Sequence, residues 1–163
     1  MRTALWGIVM LLTAVSFGYA QSIYADPDGR YKLQVPAGWE PQAQANGLNL
    51  LKGPAFVSVI KVKGQGTAQG LVEFLAQRIK SQWKNFQGAS AGDSQIGGRP
   101  GAYGWFTGLN PKGIEAVLKI AATTDGESGY AMVFSAPRSE FASTKGDFER
   151  IEAGFELTRS KAQ

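Results

Sequence analysis

Apolar positions change their period several times along this 163-residue chain, and each change marks an element. Tyr31, Leu33 and Val35 alternate with Lys32 and Gln34, which predicts a strand with one apolar face. The Asp26-Pro27-Asp28-Gly29 turn leads into it, with proline presetting φ and glycine free to take a left-handed conformation, and Pro36-Ala37-Gly38-Trp39 stops it. Leu48 to Lys52 reads as a second short strand and, after Gly53-Pro54, the β-branched run Phe56 to Lys63 reads as a third. From Ala68 the period lengthens to threes and fours through Leu71, Val72, Leu75, Ala76, Ile79, Trp83 and Phe86, which predicts an amphipathic helix. Thr67 is placed to cap that helix by accepting from an unpaired backbone N–H, and Glu73 early with Lys80 and Lys84 late suits the helix dipole.

Beyond Gly88 the pattern is extended again, weakly over Ala89 to Ile96 and then over Gly101 to Thr107, where Tyr103 and Trp105 alternate with Ala102, Gly104 and Phe106. Asn110-Pro111-Lys112-Gly113 turns the chain into a strand from Ile114 to Thr124, and Asp125-Gly126-Glu127-Ser128 turns it back through Tyr130 to Ser135, an antiparallel meander. A last helix starts near Ser139 or Thr144, carrying Phe141, Phe148, Ile151 and Phe155 inward with Asp147, Glu149 and Glu152 toward water. This order predicts an α+β domain, an antiparallel sheet covered by helices.

The first twenty residues have a different logic. Arg2 precedes a charge-free run from Ala4 to Phe17, and Gly18-Tyr19-Ala20 places small residues before a cut, the three-part pattern of a secretory signal. The run is short of the roughly 20 apolar residues a membrane span requires. Cleavage is expected after Ala20, with Ala25 as the second candidate. The chain then divides into a signal (1–20), a short N-terminal segment (21–27), one α+β domain (28–157) and a C-terminal tail (158–163), exported to the periplasm or secreted and without a stable membrane anchor after cleavage.

Composition narrows the chemistry. The chain has no cysteine and no histidine, so thiolate catalysis, disulfides, a lipid-bearing cysteine and imidazole acid–base work are all excluded. Without disulfides, stability has to come from the apolar core. With Arg2 removed, 16 bases face 13 acids, a net charge of +3, too mild to imply a nucleic-acid partner. The charge is uneven, however. Residues 41–114 carry Lys52, Lys61, Lys63, Arg78, Lys80, Lys84, Arg99 and Lys112 against Glu73 and Asp93, while residues 115–163 carry six bases and eight acids. A basic middle of this kind suits an anionic partner, if its cations converge rather than scatter over a solvated surface.

Several motifs carry less than their pattern suggests. Gly88-Ala89-Ser90-Ala91-Gly92 matches the nucleophile elbow of serine hydrolases, yet there is no histidine base and the segment after it reads as a strand rather than a helix. Gly64 to Gly70 lies where a dinucleotide turn would, but Asp93 is the only acid near the position that would hold a ribose. Asp26-x-Asp28-Gly29 opens like a calcium loop and continues with Arg30, Tyr31 and Lys32, which cannot supply the remaining oxygens. No catalytic, cofactor or metal site is assigned. If an aromatic side chain binds a ligand, Trp105 and then Tyr103 are the first to consider, because their strand carries aromatics on both faces.

The segment Gly29-Arg30-Tyr31-Lys32-Leu33-Gln34-Val35-Pro36-Ala37-Gly38-Trp39, the amphipathic helix, Tyr130-Ala131-Met132-Val133-Phe134-Ser135-Ala136-Pro137 and the closing Phe148-x-x-Ile151-x-x-x-Phe155 together resemble the Mog1/PsbP-like superfamily. The resemblance implies a six- or seven-stranded antiparallel sheet with helices on both faces, an α-β-α sandwich. It also implies relatives that are largely non-enzymatic. The functional expectation is an exported, non-catalytic accessory domain that binds a protein or envelope component, with no cofactor. The alternatives are a small-ligand or lipid carrier with a pocket between sheet and helix lined by Trp105 and Phe106, and a hydrolase working through carboxylates or Ser90.

Overall fold

The computed structural model describes residues 22–64 and 66–158. The expected signal (1–20) and most of the expected tail therefore lie outside the described residues. The elements run β1 (Ser22–Ala25), β2 (Tyr31–Val35), β3 (Glu40–Gln44), β4 (Gly47–Lys52), β5 (Ala55–Lys63), α1 (Ala68–Lys80), β6 (Lys84–Ile96), β7 (Arg99–Leu109), β8 (Glu115–Thr124), β9 (Ser128–Pro137), α2 (Phe141–Ala153) and β10 (Glu156–Leu157). Seven strands form one antiparallel sheet in the order β3-β4-β5-β9-β8-β7-β6, and β1-β2-β10 form a smaller one. This is the expected α+β architecture, an antiparallel sheet flanked by helices.

The period of two divides the core into two layers. β9 lies at the centre of the large sheet and is buried along its whole length. Tyr130, Met132, Phe134 and Ala136 join one cluster with Leu48, Leu50, Val57 and Val59, under α2 and the small sheet. Ala131 and Val133 join the other with Leu118, Ile120 and Ala122, under the α1 residues Leu71, Val72, Leu75 and Ala76. Each Val, Leu, Ile, Met or Phe among them adds roughly 1.5–3 kcal/mol when fully buried, so the two layers carry the fold without disulfides. The seat of α1 is close: a Cβ on Gly129 would lie 2.7 Å from the Leu71 Cδ2 atom, so a larger residue there would require the Leu71 side chain to shift.

The structure departs from the sequence reading in several places. α1 ends at Lys80 rather than running on to Phe86, and Asn85 has a left-handed φ of 52° just after β6 begins. Trp83 and Phe86 still reach the α1-side cluster, from a turn and from an edge strand, meeting edge-on at 5.9 Å. Their spacing imitated another helical turn because strand and helix feed the same core. β3 and β1 were not anticipated, since β3 (Glu40-Pro41-Gln42-Ala43-Gln44) is exposed throughout and carries no apolar alternation. Asp147, expected to face water, is 5% exposed. Its carboxylate accepts from the Trp39 indole N–H at 2.9 Å and the Lys52 ammonium at 2.7 Å, and also pairs with Arg150. Glu152 likewise turns inward, to Lys119.

Candidate functional site

Thirteen residues of helix cannot cover seven strands. α1 lies over β7, β8 and β9, so the same face of β5 stays partly open. On β5 the even positions Phe56, Ser58, Ile60 and Val62 fall on this face, opposite the fully buried Val57 and Val59. The helix wall opposite is built from Leu75, Ile79 and, one step off the buried stripe, Phe74 and Arg78 at i and i+4. Between floor and wall lies a groove of about 660 Å³.

The groove continues at both ends. Toward the start of α1 it shares Val62, Lys63 and Phe74 with a hollow of about 250 Å³ over Thr67 and Gly70. At the other end it shares Phe56, Ile79 and Val133 with a pocket of about 380 Å³ bounded by Pro54, Trp83, Pro111 and Ile114. Among the described residues three large apolar side chains are exposed, Ile23, Phe74 and Ile114. Two of those three line this continuous depression, and contiguous exposed apolar surface is what marks a binding face.

Charge distinguishes the two flanks of α1. The charged residues lining the central groove are Lys61, Lys63 and Arg78, all cationic. Lys112 lies on the far pocket. Part of the basic middle of the sequence therefore does converge, and no acid lines any of the three depressions. On the opposite flank of the helix, a hollow of about 410 Å³ is lined by Glu73 and Asp93 instead.

Trp105 and Tyr103 lie on the other face of the sheet. Trp105 meets Phe141 of α2 edge-on at 5.6 Å, and the Lys119 ammonium lies 5.4 Å from the Trp105 ring centroid, 5.6 Å from Tyr103 and 5.9 Å from Phe134 while pairing with Glu152. These aromatics hold a lysine and mount a helix. Phe106 points the other way and stacks on Phe86 at 5.0 Å, so Trp105 and Phe106 do not share a pocket. Their alternation along β7 sends neighbours to opposite layers.

The remaining motifs resolve into scaffolding. Ser90 pairs with Trp105 within the exposed edge strand β6, not at a strand-to-helix turn. Gly64 and Gly66 belong to the connection from β5 to α1, where the Thr67 hydroxyl accepts from the Gly70 N–H at 3.0 Å as a helix cap. Asp26 is occupied by Arg30, whose Nε donates at 2.5 Å and Nη2 at 2.7 Å, and the described residues hold no cluster of three or more metal-ligating side chains. The perturbed acid Asp147 belongs to the core of the α2 face. Burial pushes its carboxyl up, but hydrogen bonds from Lys52, Trp39 and Arg150 outweigh that and take it down to about 2.

Phe74, Phe56 and Ile60 were not singled out as site residues from sequence, whereas Lys61, Lys63 and Arg78 were already named among the cations of the basic middle. The further legible signal was Phe74, an aromatic on the helix flank four residues before a cation.

No protein-family model matches the chain, and no curated protein sequence matches it. Solved structures do. The cyanobacterial PsbP (CyanoP) of Synechocystis superposes with a TM-score of 0.67 at 15% identity, covering 90% of this chain and 98% of that one. The Ran-binding protein Mog1p of Saccharomyces cerevisiae gives 0.62 at 10% identity, covering 86% and 97%. LpqN of Mycobacterium tuberculosis, described as involved in cell envelope biogenesis, gives 0.61 at 14% identity, covering 85% and 91%. At these identities the likeness establishes the fold, and the fold is Mog1/PsbP-like.

Proposed function

We propose that this chain is an exported, non-catalytic accessory domain that binds a component of the cell envelope across the open groove beside α1. The observation that carries the reading is the groove itself: exposed apolar surface rimmed by cations, on a fold whose other face is closed. The likeness to LpqN, involved in cell envelope biogenesis, and to Mog1p, a Ran-binding protein, supports binding rather than turnover as the work of the fold. Export rests on the signal pattern of residues 1–20. Cleavage after Ala20 suits the domain better than cleavage after Ala25, because Ser22 to Ala25 form β1 and pair along β2.

Site-specific photo-crosslinking in the native host tests this. A benzophenone side chain at Phe74 is expected to capture a defined envelope component, while the same group at Glu149, exposed on α2, captures none. Equal labelling from both positions, or none from Phe74, would overturn the reading.

A further inference from the structure

The cations of the groove are spread along it rather than gathered at one end. Lys63 lies where the groove meets the hollow over Thr67 and Gly70, Lys61 and Arg78 line the central section, and Lys112 lies on the far pocket. None of the four makes an ion pair with another described residue. Uncharged polar side chains are spread in the same way, with Asn46 and Ser58 in the centre and Asn110 and Ser135 at the far end. We infer that the groove takes an amphipathic α-helix of a partner protein, its apolar stripe against Phe56, Ile60 and Phe74 and its acidic side chains on the flanking cations. This rests on the groove being the binding face.

Charge sets the sign of the partner. Four cations and no acid line the continuous depression, so carboxylates repeated along a segment meet a cation at each section, and a basic segment is repelled. Width calls for bulk: β5 and Val133 of β9 floor the central section, and Ala116 and Leu118 of β8 extend the floor at the far end. Three strands at their usual spacing are about 10 Å across. A helix with its side chains is roughly 10–12 Å. Length agrees, since Phe56 to Val62 spans roughly 20 Å at the rise of a strand, the length of about 13 helical residues. An extended segment is disfavoured because Phe56 to Ile60 already pair with β4 on one side and β9 on the other, leaving it no edge to join. A helix satisfies its own backbone and needs only side-chain contacts. A bare acyl chain has nothing to offer the polar side chains found along the whole length. A flat bilayer surface would rest on exposed Phe74 and miss half-buried Phe56 and Ile60 on the floor.

The test uses protein purified from expression of the full-length sequence and three designed peptides of about 14 residues. One carries a leucine stripe at helical spacing with glutamate on its flanks. The second replaces every glutamate by lysine, and the third keeps the composition of the first in an order that breaks the stripe. Calorimetry should show saturable one-to-one binding of the first and at least about tenfold weaker binding of the other two. An Arg78→Glu/Lys112→Glu double variant, at two exposed positions, should reverse the preference between the glutamate and lysine peptides by about tenfold or more. Gain of lysine-peptide binding shows that this variant is folded. In the native host, the segment crosslinked to a benzophenone at Phe74 should be acidic and carry apolar residues at helical spacing.

Equal affinity for the three peptides, no saturable binding of the glutamate-flanked one, or indifference to the charge reversal would overturn the inference. So would tighter binding to anionic phosphatidylglycerol vesicles than to that peptide, lost in the same double variant, which would mark a membrane-surface patch instead. A Phe74 crosslink to an envelope lipid or glycan, in protein that binds no acidic helix, would leave the proposed function standing and remove only this inference.

Discussion

On one face of the large sheet, α2 and the small sheet bury Phe134, Phe148, Ile151 and Phe155 to 2% exposure or less, while on the other, α1 leaves Phe74 at 56%. Two thirteen-residue helices thus do different work. On the α2 side the wide aromatics pack on one another: Trp39 and Phe134 tilt against Phe148 at 5.9 and 5.3 Å, and Trp105 meets Phe141. Even the charges there are paired inward, Asp147 with Lys52 and Glu152 with Lys119. On the α1 side the helix is seated close over β9 through Gly129 and leaves β5 uncovered. Stability is concentrated on the closed face, and apolar area free for a ligand is on the open one.

Substitutions should separate the two faces, beginning with the largest effect. Phe148→Ala removes the ring shared by Trp39, Phe134 and Phe141, and should cost about 3–5 kcal/mol in chemical denaturation because the cavity cannot collapse between a sheet and a helix. A loss below about 1 kcal/mol would contradict the idea that this face carries the fold.

Asp147→Asn keeps the shape but removes the charge that holds Lys52, Arg150 and the Trp39 N–H, and should cost about 2 kcal/mol. The same carboxylate gives a pH signature. Its folded value, about 2, lies below the ordinary 3.8, so its stabilisation is complete above pH 4 and is lost as pH falls from there through about 2. Denaturation midpoints of the parent should therefore drop across that window more steeply than those of Asp147→Asn.

Tyr31→Phe sharpens the comparison in the opposite direction. The Tyr31 hydroxyl is buried under α2 and the small sheet and finds no hydrogen-bond partner among the described residues, so removing it should raise stability by up to about 1 kcal/mol. Phe74→Ala is expected to change stability least, within about 0.5 kcal/mol, because more than half of the ring already faces water. Measured against its small effect on folding, it should clearly weaken capture of the envelope component by a benzophenone placed at Arg78 on the same wall, and unchanged capture would count against the groove as the site.

The elements read most reliably from sequence were those whose apolar period repeats: β2, β5, α1 through Lys80, and the β8–β9 meander. Failures came where one residue type served two environments. Trp83 and Phe86 kept helical spacing while leaving the helix, because turn, strand and helix all point into one cluster. Asp147 looked solvated because its partners Trp39 and Lys52 lie 108 and 95 residues away. Trp105 and Phe106 looked like one aromatic pocket wall, and the pleat sent them to opposite layers. The groove was illegible for a related reason: its floor is β5, its wall is α1, and its far end is the β7–β8 turn.

What the sequence determined by itself was local and compositional. Period, turns and caps specified an α+β chain of antiparallel strands, and the absence of cysteine and histidine removed whole chemistries before any fold was drawn. Tertiary structure alone decided that β9 sits at the centre of the sheet, that Asp147 is buried, and that Lys61, Lys63 and Arg78 meet beside exposed Phe74. The physical reason is range: a hydrophobic period is set by neighbours a few residues apart, whereas a groove exists only where one helix is too narrow for the sheet it covers.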